Sequence, residues 1–121
     1  MLGVDGFDRI PPWQNDLLDI YRMLGGTEWK NQAGWPTAGV MPLSQALPTH
    51  EIYGVQRPYN RLHEVTVVDL AWNGLRGEIA VCEGLWHLHS LEVLHLGANR
   101  LSGPLPGYEL RNLVLLKELH L

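Results

Sequence analysis

The chain contains a segment that returns at a fixed interval. "VTVVDLAWNGLRGEI" begins at Val65, "LEVLHLGANRLSGPL" at Leu91 and "LKELHL" at Leu116, so the steps are 26 and 25 residues. Seven positions keep their type across the two full copies: Val65/Leu91, Val68/Leu94, Leu70/Leu96, Asn73/Asn99, Leu75/Leu101, Gly77/Gly103 and Ile79/Leu105. A period of this length restricts the fold more than any other feature, because each copy is too short to bury its own apolar face and needs a neighbour to cover it.

Within a copy the local pattern is readable. "VDL", "LHL" and "LHL" alternate apolar residues with one outward residue, the period of a strand. Copies stacked in parallel pair these strands and lay their leucines into a continuous core. Asn73 and Asn99 close the strands; an amide side chain carries both donors and an acceptor for backbone groups where the chain turns, and stacked copies set these asparagines in a ladder. Gly77 and Gly103 then permit a positive φ. Pro104 and Pro106 keep the returning segment extended. Leu85, Leu88 and Leu91, and again Leu110, Leu113 and Leu116, recur every third residue, as in a short helix or 3₁₀ turn on the outer side.

These residues resemble the leucine-rich repeat family. The form L-x-x-L-x-L-x-x-N-x-L-x-G-x-[IL]-P is similar to the plant-receptor subtype, and "LEVLHLGANRLSGPLP" carries it most fully. The first copy departs from the pattern, with Ala80 at the proline position and Val65 and Val68 in place of leucine. The resemblance implies an α/β solenoid: parallel strands on a concave face, and short helical, 3₁₀ or extended segments outside.

The first half reads as a cap. Residues 1–13 form an arm ended by Pro11-Pro12. "NDLLDIYRMLGG" is a helix with Asn15 or Asp16 as N-cap, with Leu17, Ile20, Tyr21 and Leu24 on one face and Gly25-Gly26 as its stop. Residues 36–50 read as an irregular loop, "EIYGV" as a short strand and "QRPYNRLHE" as a turn. The domain plan is therefore an arm at 1–13, a cap at 14–64, and repeats over 65–121, namely two full repeats and the first strand of a third. "LLDIYRMLGGTEWKNQAGW" and "IYGV" resemble the N-terminal cap that precedes plant-like repeats, in which Trp29, Trp35 and Tyr53 are packing residues. Ile52 replaces the tryptophan usual there, and the cysteine pair of many secreted relatives is missing.

Composition narrows the function classes. The 121 residues suffice for one domain, and the net charge of −4 does not supply the basic face that nucleic acid requires. No apolar run approaches the length of a membrane span. Cys82 is alone, so it forms no internal disulfide, and it reads as a small buried residue. The start of the chain lacks the features of a secretory signal, and its asparagines lie in no N-x-S/T sequon. These absences favour a reducing, cytoplasmic compartment, while the family analogy allows an extracellular one. None of Ser44, Ser90 and Ser102 lies in G-x-S-x-G, no Lys-Ser/Thr follows Gly25-Gly26 as in a phosphate loop, and no paired carboxylates stand out. The expectation is a non-catalytic chain without a cofactor.

The outward strand residues are the candidate site: Val67, Asp69, Ala71 and Trp72, then Val93, His95, Gly97 and Ala98, then Glu118 and His120. Strands about 4.8 Å apart would set Asp69, His95 and His120 in one column. Three readings follow. The face recognises a protein or peptide, with Trp72 as an aromatic anchor. The Asp/His/His column ligates a divalent metal. Or the face is solvated, the residues that bind lie in further repeats beyond Leu121, and the chain is a purely structural cap of a longer, receptor-like repeat protein. His87 and His89 read as surface residues, and Glu92 and Lys117 as a pair across strands. Ending on an unpaired apolar strand, the chain is expected to continue in further repeats.

Overall fold

The computed structural model describes residues 12–35 and 51–121, so the arm read over 1–11 and the loop read over 36–50 lie outside it. Helix α1, Pro12–Met23, starts before the asparagine that the sequence suggested as its cap. Proline is favoured in the first helical turn, where its missing N–H costs nothing. Asn15 and Asp16 therefore lie inside the helix, and Pro12 and Trp13 belong to it rather than to an arm. Trp13, Leu17, Ile20, Tyr21 and Leu24 are all buried. Gly25, at φ 75°, ends the helix run and leads into a 3₁₀ turn, Gly26–Glu28.

Tyr21, Trp29 and Trp35 pack edge-on and stacked, with ring centroids 4.9–6.5 Å apart. Each tryptophan also spends its N–H: Trp29 Nε1 donates to the Leu24 carbonyl at 2.8 Å, and Trp35 Nε1 to the Tyr53 carbonyl at 2.9 Å. Tyr53, expected as a packing residue beside them, is 38% exposed; Ile52 is the residue of that pair that is buried. The backbone explains the exchange. "EIYGV" is a tight turn rather than a strand, with an Ile52–Val55 bridge around Gly54 at φ 78°. Only Val55–Gln56 is strand (β1).

The chain is α/β, and most of its strand pairs are parallel. Strand β2 (Val67–Asp69) has β1 antiparallel on one side and β4 (Val93–His95) parallel on the other; β4 continues to β6 (Glu118–His120), again parallel. The register pairs Val67 with Val93 and Glu118, Val68 with Leu94 and Leu119, and Asp69 with His95 and His120. The 26- and 25-residue steps of the sequence are thus the steps of the sheet. Val68, Leu70, Leu94 and Leu96 are buried beneath it.

A second, parallel pair was not read from the sequence: β3 (Arg76–Glu78) with β5 (Arg100–Ser102). Each strand is three residues long, Arg76-Gly77-Glu78 and Arg100-Leu101-Ser102, with Leu101 their one apolar side chain, so the local pattern is too short to mark them. Between the two sheets run the asparagines. Asn99 Oδ1 accepts from the N–H groups of Asn73 and Leu75, both at 3.0 Å, while its Nδ2 donates to Leu70 and Leu96 at 2.9 Å. Asn73 in turn bonds both backbone groups of Asn31, accepting at 2.7 Å and donating at 2.8 Å. The ladder therefore extends one step into the first half of the chain, through backbone groups rather than from side chain to side chain.

On the opposite flank a 3₁₀ turn, Ile79–Val81, leads into the short helix α2, Glu83–Trp86, which packs on α1. Trp86 is fully buried and its Nε1 donates to the Ile79 carbonyl at 2.8 Å. Leu85, Leu88 and Leu91 point inward as their spacing suggested. The equivalent helix α3, Gly107–Leu110, buries none of its residues. Nearby, Leu105, Tyr108, Val114, Leu115 and Leu121 are exposed. Among the described residues no helix is long and apolar enough to cross a membrane.

Candidate functional site

The sheet register builds one outward face from three separate stretches of sequence. Asp69, His95 and His120 stand side by side on β2, β4 and β6. Asp69 Oδ1 lies 3.7 Å from His95 Nδ1 and also accepts from the Ala71 N–H at 3.2 Å. The His95 and His120 rings are tilted by 47° with centroids 4.8 Å apart, and His120 Nε2 is 3.5 Å from Glu118 Oε1. Val67, Val93 and Glu118 form the neighbouring column. Gly97 makes room for this arrangement: a Cβ there would lie 3.2 Å from His95 Nε2.

The face is bounded by Trp72, 75% exposed and held in the left-handed backbone region at φ 58°. Ala98, its counterpart in the next copy, has φ 57°. The conformation therefore belongs to the turn that follows each strand and is not peculiar to the tryptophan. Trp72 N–H donates to the Gly97 carbonyl at 3.1 Å, locking the two turns together. Between this turn and the Tyr53-Gly54 turn lies an open depression of about 630 Å³, lined by Tyr53, Gly54, Gln56, Asp69, Trp72 and His95 among others. Tyr53 and Gln56 were not read as site residues. Their approach depends on the antiparallel β1–β2 pairing, for which a two-residue strand gives almost no sequence signal.

The Asp/His/His column does not converge on a point. Among the described residues no group of three or more His, Cys, Asp or Glu side chains is placed to hold a metal ion. Side chains on adjacent parallel strands run alongside one another, whereas a tetrahedral site needs them aimed inward at about 2 Å from one centre. The metal reading of Asp69, His95 and His120 is corrected accordingly.

Two titratable groups, one buried and one half-buried, lie away from this face. Cys82 is wholly inside, and burial pushes its thiol up to about 12. A thiol reagent should therefore label Cys82 at the rate of global unfolding at pH 8, and immediate labelling in the native state would contradict this burial. The unfolded thiol ionises from about 9, the folded one only near 12, so Cys82 contributes a loss of stability as pH rises through that window. Asp16 is half-buried on α1, 3.7 Å from His87; desolvation raises its pKa, and His87 opposes the rise. A carboxyl raised in the folded state favours folding at low pH and disfavours it above its folded pKa. Asp16→Asn should thus flatten this part of the stability profile above pH 4, as read by thermal melts across pH. His87 and His89 are exposed, and Lys117 Nζ lies 3.2 Å from Glu92 Oε1, as their equivalent positions suggested.

Comparison with protein-family models, with curated proteins and with solved structures gave no match.

Proposed function

We propose that the chain is a leucine-rich repeat module of the plant-receptor-like type that binds a protein or peptide and carries out no chemistry of its own. Residues 12–35 and 51–64 act as the cap, and the strands β2, β4 and β6 form the concave face of the solenoid. The observation that carries this reading is the register that sets Asp69, His95 and His120 in one row on a face bounded by the exposed Trp72. An exposed indole at the rim of an open depression lined by both polar and apolar groups is the kind of side chain that anchors protein contacts. Extended backbone and alternating outward side chains offer an unfolded peptide several shallow contacts along the row.

The test is selection of random dodecapeptides displayed on phage against the intact protein. Enriched peptides should lose at least about tenfold in affinity against Trp72→Ala and against His95→Ala, the loss typical of removing one anchor. Failure to enrich any sequence, or peptides indifferent to both changes, would sink the reading. Trp72→Ala should leave stability within about 0.5 kcal/mol of the parent, since an exposed side chain is removed; this separates lost binding from lost folding.

A further inference from the structure

The depression beside Trp72 has a chemistry of its own. Among the described residues it is lined by two aromatic side chains, Tyr53 and Trp72, by one carboxylate, Asp69, by the His95 ring, and by no lysine or arginine. Trp72 is 75% and Tyr53 38% exposed, so both rings offer area to a ligand. The Asp69 side chain is 55% exposed, and only its Oδ1 is engaged, by the Ala71 N–H and the neighbouring His95 ring. Oδ2 accepts no hydrogen bond among the described residues. Glu118, on the same face, adds a second negative charge.

The choice of residue at position 72 points the same way. The turn after each strand takes positive φ, and Ala98 satisfies that turn in the second copy. A tryptophan in the left-handed region and largely in water serves neither the turn nor the core. Non-glycine residues are uncommon there, and alanine serves the turn as well as tryptophan does. Among the described residues no lysine or arginine pairs with this indole or this carboxylate, and the one near partner of Asp69 is the His95 ring on its Oδ1.

We infer that this depression takes an arginine side chain of the bound peptide. Its guanidinium stacks against Trp72 or Tyr53 and its N–H fork reaches Asp69 Oδ2. A planar cation satisfies an aromatic face and a carboxylate together, which an ammonium does less well. The inference rests on the peptide-binding reading given above and names the chemistry of one contact within it.

The experiment uses the phage-selected peptides and the intact 121-residue protein. Enriched peptides share an arginine. Replacing that arginine by citrulline, which has nearly the same shape without the charge, weakens binding about tenfold by calorimetry, a loss of the size expected for a cation–π contact with a charge-assisted hydrogen bond. Asp69→Asn produces a similar loss, and the citrulline peptide binds Asp69→Asn and the parent about equally, because the two changes remove one interaction. Circular dichroism shows Asp69→Asn folded like the parent. Enriched peptides without a basic residue overturn the inference, as does a citrulline penalty undiminished in Asp69→Asn, which would put the arginine elsewhere. In both outcomes the binding reading stands provided that Trp72→Ala or His95→Ala still weakens the peptides. Enrichment of nothing removes both.

Discussion

Asn99→Ala should destabilise the protein by about 3 kcal/mol, more than most surface or half-buried polar changes do. The half-buried side chain satisfies the Asn73 and Leu75 N–H groups with one oxygen, and the Leu70 and Leu96 carbonyls with its nitrogen. Alanine removes all of these at once. Leu75 and Leu70 are completely buried, so water does not readily replace the lost partner. An orphaned buried backbone group costs about 1–3 kcal/mol, and partial relaxation of the turn keeps the total near the lower sum. Asn99→Asp keeps the acceptor and loses the donors, so it should cost roughly half as much. Urea unfolding monitored by tryptophan fluorescence measures both. A loss below about 1 kcal/mol for Asn99→Ala would mean that the turn finds other partners and that the ladder does not hold the copies together.

Gly84→Ala should be equally damaging, about 3 kcal/mol or more, although alanine is the better helix former. Gly84 lies where α2 crosses α1. A Cβ there would overlap the Asp16 carbonyl oxygen and would come within 2.9 Å of the Asp19 Cβ. Its own N–H donates to Asp19 Oδ2 at 2.7 Å, so the two elements cannot separate without losing that bond. Nor can α1 retreat, because Leu17 and Ile20 are already completely buried. The control is Gly107→Ala at the start of α3, where an added Cβ meets nothing within 4 Å. That change should be neutral or stabilising by up to about 1 kcal/mol. If the two substitutions behaved alike in thermal melts, the close approach of α1 and α2 would be wrong.

What the sequence makes legible is what repeats. The leucine spacing located the inward rows Val68/Leu94/Leu119 and Leu70/Leu96, and the same steps placed Asp69, His95 and His120 in one register. The asparagine ladder was legible as a position, though not in its partners: Asn31 lies outside the repeated segment, and its role depends on where the chain passes after Trp29. Features that depend on a single copy or on contact between distant segments were hidden. Gly84 looks like an ordinary helix-weakening residue until α1 is placed against it. Trp72 and Ala98 adopt positive φ without being glycine, asparagine or aspartate, so no residue preference signals it. The resemblance to a plant-type cap implied a packing role for Tyr53; the turn at Gly54 buries Ile52 in its place.

The central claim is that the copies stack in parallel with Asp69, His95 and His120 in one row. The most direct measurement is NMR detection of scalar coupling through hydrogen bonds on isotopically labelled protein. The account predicts couplings from the Leu70 amide nitrogen to the His95 carbonyl carbon and from Leu96 to His120, matching hydrogen bonds of 2.9 and 2.7 Å. Couplings that pair these strands in another register, or antiparallel, would contradict it and would dissolve the row on which the proposed binding face depends.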